Sequence, residues 1–117
     1  MSLKIYGIKN CDTMKKAFTW LEDHGIDYTF HDYKKLGIDQ ATIKSWLKIK
    51  PIDLLINSKG PTYKKLSEED KLACQKPATA LPVMMQFTST IKRPLIEFNG
   101  DIILGFNPEL YQETFLK

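Results

Sequence analysis

The hydrophobic pattern at the start of the chain predicts a strand, a helix and a second strand. Residues 3–6 form a short apolar run that stops at Gly7. Four apolar residues beyond it recur at the i, i+3, i+4 and i+7 spacing of one helical face: Met14, Ala17, Phe18 and Leu21. Gly25 is placed to end this helix as a left-handed cap, and alternation over residues 26–31 predicts the second strand. A strand–helix–strand unit of this kind places its two strands parallel.

The C-terminal part of the chain predicts a β-hairpin followed by a helix. Two apolar runs, residues 95–98 and 102–104, flank residues 99–101. Residues 99–101 begin with Asn-Gly, the strongest short-range signal for a hairpin. The Asn-Pro pair at 107–108 is typical of a helix N-terminus. A parallel strand pair plus an antiparallel hairpin gives a four-stranded mixed sheet covered by helices, which is the layout of the thioredoxin fold.

The segment between these two parts, about residues 36–90, shows helical signals and no convincing strand pattern. Asp39 is placed to cap one helix, and Ser67, followed by three acidic residues, is placed to cap another. We therefore predict an α/β protein with a thioredoxin-like, four-stranded mixed sheet. The sheet is built as βαβ followed by ββα, with an all-helical insertion between the halves. Residues 1–117 are expected to form this single domain.

Composition narrows the classes of protein that need to be considered. The net charge of +3, from 17 basic and 14 acidic residues, is too small and too evenly spread to favour a nucleic-acid partner. Apolar runs fall short of the roughly 18–20 residues of a membrane span, and the N-terminus lacks the pattern of a signal peptide. Two cysteines do not make a disulfide framework. We expect a cytoplasmic monomer with no membrane partner.

Cys11 is the strongest candidate for a catalytic residue. It stands between the first strand and the first helix, where unpaired backbone N–H groups and the helix dipole favour negative charge. The thiolate is the nucleophilic form of cysteine, so this position predicts a thiol-based redox enzyme. Cys74 lies in the insertion without a motif and is expected to be structural. Because C-x-x-C, H-x-x-x-H and clustered His/Cys sets are absent from the sequence, we predict no metal site.

Five further residues accompany Cys11 in the predicted site. Arg93 and Pro94 come directly before the hairpin, and in a thioredoxin-like layout a proline at this point is usually cis and faces the active cysteine. Arg93 would then lie within reach of the thiol, where its guanidinium suits a thiolate and lowers the thiol pKa. Lys9 and Asn10 are either donors to a bound anion or ordinary loop residues. Thr13 either bonds the sulfur or helps to cap the helix.

Segments along the whole chain carry a family resemblance. They cover residues 7–17, 20–28, 30–33, 91–94 and 104–106. Together they resemble the arsenate reductase (ArsC)/Spx family, and more narrowly its YffB-type branch of small bacterial proteins. The resemblance implies that Cys11 is the catalytic cysteine and that Arg93-Pro94 match the Arg-Pro pair before the third strand. For this branch it also implies a thiol reductase with glutathione as co-substrate, and it makes glutaredoxin a candidate partner.

The sequence departs from the family pattern at several positions, and these departures rank the predicted functions. Glutaredoxin-coupled arsenate reductases carry two further arginines, one in the middle loop and one after the last strand. This chain has Asn57, Ser58 and Lys59 in that loop and Phe106 near the second position, so both arginines are missing. Spx regulators often carry Cys-x-x-Cys, whereas Met14 fills the fourth position here. We predict first a glutathione-dependent thiol–disulfide oxidoreductase acting on glutathionylated or disulfide substrates. The alternatives are an arsenate reductase and a non-catalytic, Spx-like regulator that binds RNA polymerase. The predicted catalytic residues are Cys11 and Arg93, and the predicted substrate- or glutathione-binding residues are Lys9, Asn10, Thr13, Arg93 and Pro94.

Overall fold

The computed structural model describes residues 3–116, which form four strands, eight α-helices and one 3₁₀ helix. In chain order they are β1 (Leu3–Gly7), α1 (Asp12–Asp23), β2 (Tyr28–Asp32), α2 (Tyr33–Leu36), α3 (Gln40–Leu47), α4 (Ile52–Leu55), α5 (Pro61–Lys64), α6 (Glu68–Ala73), α7 (Pro77–Gln86), the 3₁₀ helix (Thr88–Thr90), β3 (Leu95–Phe98), β4 (Asp101–Leu104) and α8 (Pro108–Phe115). The chain divides into two compact units, one of residues 3–32 and 93–116 and the other of residues 33–92. The single-domain prediction for residues 1–117 stays a prediction.

The first unit contains the sheet. Its strand order is β2-β1-β3-β4, with β1 parallel to β2 and antiparallel to β3, and β3 antiparallel to β4. The predicted thioredoxin-like arrangement of βαβ followed by ββα is therefore confirmed. One face of this sheet and the helices α1 and α8 share a buried core: Leu3, Ile5, Met14, Ala17, Leu21, Ile96, Ile103 and Tyr111.

Local signals decide where α1 ends and β2 begins. Gly25 has φ of 66°, and its N–H donates to Glu22 while the N–H of Ile26 donates to Leu21. These two bonds make a Schellman motif, so the predicted glycine cap is confirmed. Because Ile26 is held in this motif, β2 begins at Tyr28, two residues later than the alternation predicts.

The hairpin and the last helix also follow their sequence signals. Asn99 and Gly100 both have positive φ, 51° and 77°, as the two central residues of a type I′ turn require. The side chain of Asn107 accepts a hydrogen bond of 3.1 Å from the N–H of Leu110 and so caps α8. The sequence-based predictions of the hairpin and of the cap are confirmed.

The second unit is helical apart from a single β-bridge between Ile56 and Ile91. Asp39 and Ser67 cap α3 and α6, since their side chains accept hydrogen bonds from the N–H groups of Thr42 and Asp70. The sequence pattern does not predict the helices α2 and α5, because four residues are too few to show a helical period. Among residues 3–116, the structure contains no helix that is both long and apolar enough to cross a membrane.

Candidate active site

Cys11 occupies the N-cap position of α1. Its backbone is extended, with φ of −140° and ψ of 129°, and its carbonyl accepts the first helical hydrogen bond, 2.9 Å long, from the N–H of Lys15. The side chain is partly exposed. The thiol therefore lies at the positive end of the helix dipole and can be reached by another molecule.

The surroundings of Cys11 favour its thiolate. Partial burial raises the pKa of the Cys11 thiol, but hydrogen bonding from the backbone N–H of Met14 and from the Arg93 side chain acts in the opposite direction. The backbone N–H of Thr13 and the charge of Arg93 lower it further, so that the pKa of Cys11 falls below its ordinary value. A partly exposed thiol in an electropositive setting is the usual environment of a reactive cysteine.

The loop after β4 helps to hold Arg93 in place through its neighbour Pro94. The Arg93-Pro94 peptide is cis, as expected, and Pro94 is buried. The N–H of Gly105 donates a 2.9 Å hydrogen bond to the carbonyl of Pro94, and the carbonyl of Gly105 accepts a 2.6 Å bond from the hydroxyl of Tyr111. A chain of two hydrogen bonds therefore links α8 to the segment that brings Arg93 to the sulfur.

Gly7 allows the first turn of α1 to pack closely against the end of β1. A Cβ at this position would lie 2.6 Å from the Cε of Met14, and Met14 is fully buried. No side chain larger than hydrogen fits there without moving Met14. This packing sets the position of Cys11, three residues before Met14. From the sequence, Gly7 is predicted only to end the first strand. The presence of a glycine at this position is the one sequence signal for its close contact with Met14.

The other predicted site residues differ in how closely they relate to the thiol. Thr13 acts on the sulfur through its backbone N–H, which lowers the pKa of Cys11. Lys9 and Asn10 are exposed in the loop before α1, and neither is among the groups that shift this pKa. The catalytic and binding roles of Cys11, Lys9, Asn10, Thr13, Arg93 and Pro94 stay predictions.

The structure also shows the surroundings of the two positions where arsenate reductases carry further arginines, and those of the second cysteine. Phe106, near the position of one missing arginine, packs edge-on against Tyr111 with ring centroids 5.4 Å apart. Asn57, Ser58 and Lys59 belong to the helical unit. Cys74 is buried there, and burial together with the nearby charge of Asp70 raises the pKa of its thiol. Within the part of the chain that the structure describes, no three His, Cys, Asp or Glu residues are grouped to hold a metal ion.

The arrangement around Cys11 predicts the effect of changing Arg93. We expect Arg93→Ala to raise the pKa of Cys11, because the variant loses both a donor to the sulfur and a positive charge. Alkylation by iodoacetamide, followed against pH, measures this directly. Arg93→Lys is the matched control and should retain part of the effect, since lysine keeps the charge but not the guanidinium geometry. A pKa that is unchanged in Arg93→Ala would contradict the assignment.

Comparison with known proteins agrees with this architecture. The model of the ArsC family matches residues 6–114 of the chain. A solved structure named YFFB (PA3664) protein is 42% identical, with 95% of this chain and 96% of that chain covered, and its TM-score is 0.89. An arsenate reductase (ArsC) related protein from Brucella melitensis is 50% identical over 98% of this chain and 95% of that chain, with a TM-score of 0.77.

A curated relative extends the comparison along the sequence. An uncharacterized protein from Haemophilus influenzae is 40% identical over 113 residues, which cover 97% of this chain and 98% of the relative. Both the sequence matches and the structural matches therefore span nearly the full length. Together with the family match over residues 6–114, they establish that this chain belongs to the ArsC family.

Proposed function

We propose that this chain is a glutathione-dependent thiol–disulfide oxidoreductase in which Cys11 forms the mixed disulfide. The observation that carries the proposal is the partly exposed Cys11 thiol, whose pKa is lowered by backbone N–H groups of α1 and by Arg93. A moderately lowered pKa gives more thiolate at neutral pH and retains nucleophilicity, which is the combination that favours thiol exchange. Membership of the ArsC family supports a thiol reductase.

The proposed reaction consists of two thiol–disulfide exchanges. In the first, the Cys11 thiolate attacks the glutathione sulfur of a substrate disulfide, a Cys11–glutathione disulfide forms, and the substrate leaves as a thiolate that takes up a proton. In the second, the thiolate of another glutathione attacks the glutathione sulfur bound to Cys11. Oxidised glutathione leaves and the Cys11 thiolate is restored. The substrate gains two electrons, and two glutathione units are joined as the oxidised product.

An external thiol is proposed because the chain offers no good internal resolving thiol. The fourth position of the motif holds Met14, which is fully buried. Cys74 is buried as well, and its raised pKa leaves little thiolate at neutral pH. Glutathione carries two carboxylates, which suit positive groups such as Lys9 and Arg93. This chemistry fits a monomer in a reducing cytoplasm, with glutaredoxin as an additional reductant.

Arsenate reduction is the weaker candidate on the same site. The position near which one further arginine is expected holds Phe106, whose ring packs against Tyr111. The other position offers Lys59, whose ammonium is a point charge and does not reproduce a bidentate guanidinium. A thiol substrate requires neither of these two arginines.

The pH dependence of alkylation, measured with and without glutathione, tests the proposal. Because the pKa of Cys11 is lowered, its alkylation rate should reach half of its maximum at a lower pH than that of an ordinary thiol. Incubation with oxidised glutathione should block Cys11 and add one glutathione there, as found by mass spectrometry of the digested protein. Cys74 in the same sample is the internal control and should stay unmodified while the protein is folded. An ordinary pKa together with no glutathione adduct at Cys11 would rule the proposal out.

A further inference from the structure

A shallow groove with a volume of about 350 Å³ runs along the outer face of α1. Six residues line it, five of them on α1 and one in the loop after β4: Lys15, Lys16, Thr19, Trp20, Asp23 and Phe106. All six belong to the unit that contains the sheet. The mechanism proposed above uses none of them, so the groove is a separate feature with its own chemistry.

The groove begins one helical turn beyond the reactive thiol. Lys15 and Thr19 are spaced four residues apart and therefore share one side of α1, and Cys11 lies four residues before Lys15 at the N-cap. With a rise of 1.5 Å per residue, Lys15 lies about 6 Å and Asp23 about 18 Å along the axis from Cys11. Each arm of glutathione extends only about one residue from its cysteine, or roughly 4–7 Å. An extended polypeptide covers the 18 Å with about five residues, so the length of the groove fits a polypeptide better than glutathione.

The chemical character of the lining changes along the groove. Two exposed lysines, Lys15 and Lys16, stand at the end nearer to Cys11, and Asp23 stands at the far end. Trp20 lies between them on α1, and the ring of Phe106 also lines the groove. A complementary occupant has a negative charge near the thiol, an apolar group in the middle and a positive charge at the far end.

The aromatic part of the groove is held by neighbouring rings. Trp20 stacks on His24 with ring centroids 3.9 Å apart and meets the edge of Tyr111 at 5.4 Å. Phe106 packs edge-on against the same Tyr111. Tyr111 is fully buried and bonded to Gly105, so both rings rest on a fixed support. Rings that are ordered before binding lose little conformational entropy when a partner covers them.

We propose that this groove binds the segment of a protein substrate that adjoins its glutathionylated cysteine. The inference rests on the proposed function and names the substrate class. The substrate is a protein with an acidic residue about two positions away from its glutathionylated cysteine, an apolar residue about four positions away and a basic residue about five positions away, all on the same side of the cysteine in the chain. Bound in this way, the substrate segment lies along α1 while its mixed disulfide reaches Cys11. The groove thus selects protein disulfides over small ones.

Glutathionylated peptides test this selection. One peptide carries the acidic, apolar and basic residues at these positions, a second has lysine in place of the acidic residue, and each is made in both chain directions. The mixed disulfide of glutathione and 2-mercaptoethanol is the small reference substrate. In the better direction, we expect kcat/KM of the unaltered protein to be about tenfold higher for the acidic peptide than for the lysine peptide.

Charge reversal in the groove should invert the preference. The double variant Lys15→Glu/Lys16→Glu is expected to lose about tenfold in kcat/KM on the acidic peptide and to prefer the lysine peptide, relative to its own rate on the small disulfide. Lys64→Glu/Lys65→Glu is the matched control, because it changes the net charge equally at two exposed lysines of the helical unit. An equal loss on the peptide and on the small disulfide would overturn the proposal, since the lysines would then act on the thiol or on glutathione.

A binding measurement separates failure of the groove from failure of the proposed function. Cys11→Ser cannot exchange thiols but keeps the groove, so calorimetry with this variant reports peptide affinity without turnover. Tighter binding of the acidic peptide than of the lysine peptide supports the groove even if no substrate is reduced. Equal affinity for the two peptides overturns the groove even if small disulfides are reduced.

Discussion

Replacement of Cys11 by serine is expected to bring the reduction of glutathione mixed disulfides down to the rate of the uncatalysed reaction with glutathione. A hydroxyl is not ionised by the groups that lower the pKa of this thiol, and its oxygen does not form a disulfide. The measurement is the release of substrate thiol in the presence of glutathione, with oxidised glutathione recycled by its reductase. The same variant should also lose the glutathione adduct at residue 11.

The matched control for this experiment is Cys74→Ser. Cys74 is buried, and its raised pKa keeps it in the thiol form, so the variant should keep most of the reductase rate. Thermal unfolding of both variants shows whether each remains folded under the assay conditions. Full activity of Cys11→Ser would refute the proposed function, and loss of activity in a folded Cys74→Ser would assign the resolving role to Cys74.

Truncation of Tyr111 is expected to lower the free energy of unfolding by about 3–5 kcal/mol, as for other buried aromatic residues changed to alanine. Tyr111 is fully buried in the core of the sheet-containing unit and contacts the rings of Trp20, Phe106 and Phe115. Since small domains are stable by only about 5–15 kcal/mol, a loss of this size is a large fraction of the total. Denaturation with urea measures the loss.

Tyr111→Phe separates packing from hydrogen bonding at the same position. Burial raises the pKa of the Tyr111 phenol, so its hydroxyl stays protonated and donates to the carbonyl of Gly105. Phenylalanine keeps the ring and removes this donor, which should cost about 0.5–1.5 kcal/mol. A loss in Tyr111→Phe as large as that in Tyr111→Ala would show that the hydrogen bond to Gly105, and not the packing of the ring, carries the stability.

Tyr111 also connects the stability of the unit to its chemistry. The carbonyl of Gly105 accepts from Tyr111, and the N–H of the same residue donates to Pro94. Pro94 follows Arg93, which acts on the Cys11 sulfur. The same ring supports Trp20 and Phe106 in the groove along α1. A single residue of the last helix therefore stabilises both the segment that carries Arg93 and the floor of the proposed docking surface.

Much of the local structure could be predicted because its causes are encoded in neighbouring residues. The period of α1, the Gly25 cap and the Asn-Gly turn each depend on interactions within a few positions of the chain. The side-chain caps at Asp39, Ser67 and Asn107 are of the same kind. These local elements, taken in order, already predicted a thioredoxin-like mixed sheet.

The placement of Cys11 at a helix N-terminus could also be predicted from neighbouring residues. Once the strand before it and the helix after it are known, the unpaired N–H groups of the first turn must lie close to this residue. The sequence therefore determined the type of chemistry, a thiol favoured as thiolate. It also excluded a Cys-x-x-Cys dithiol, since Met14 fills the fourth position.

The predicted thioredoxin-like layout already placed Arg93 within reach of the thiol, and the tertiary structure shows how Arg93 is brought there. Arg93 reaches the sulfur because β3 pairs with β1 in a particular register and because the loop after β4 bonds to Pro94. The close contact between Gly7 and Met14, the support that Tyr111 gives to the site, and the groove along α1 have the same origin. They depend on long-range packing and strand pairing, whose geometry no short window of residues contains. The sequence determined the thiol, the fold around it and the candidate arginine, and the packing of the folded chain determined how that arginine meets the sulfur and formed the groove along α1.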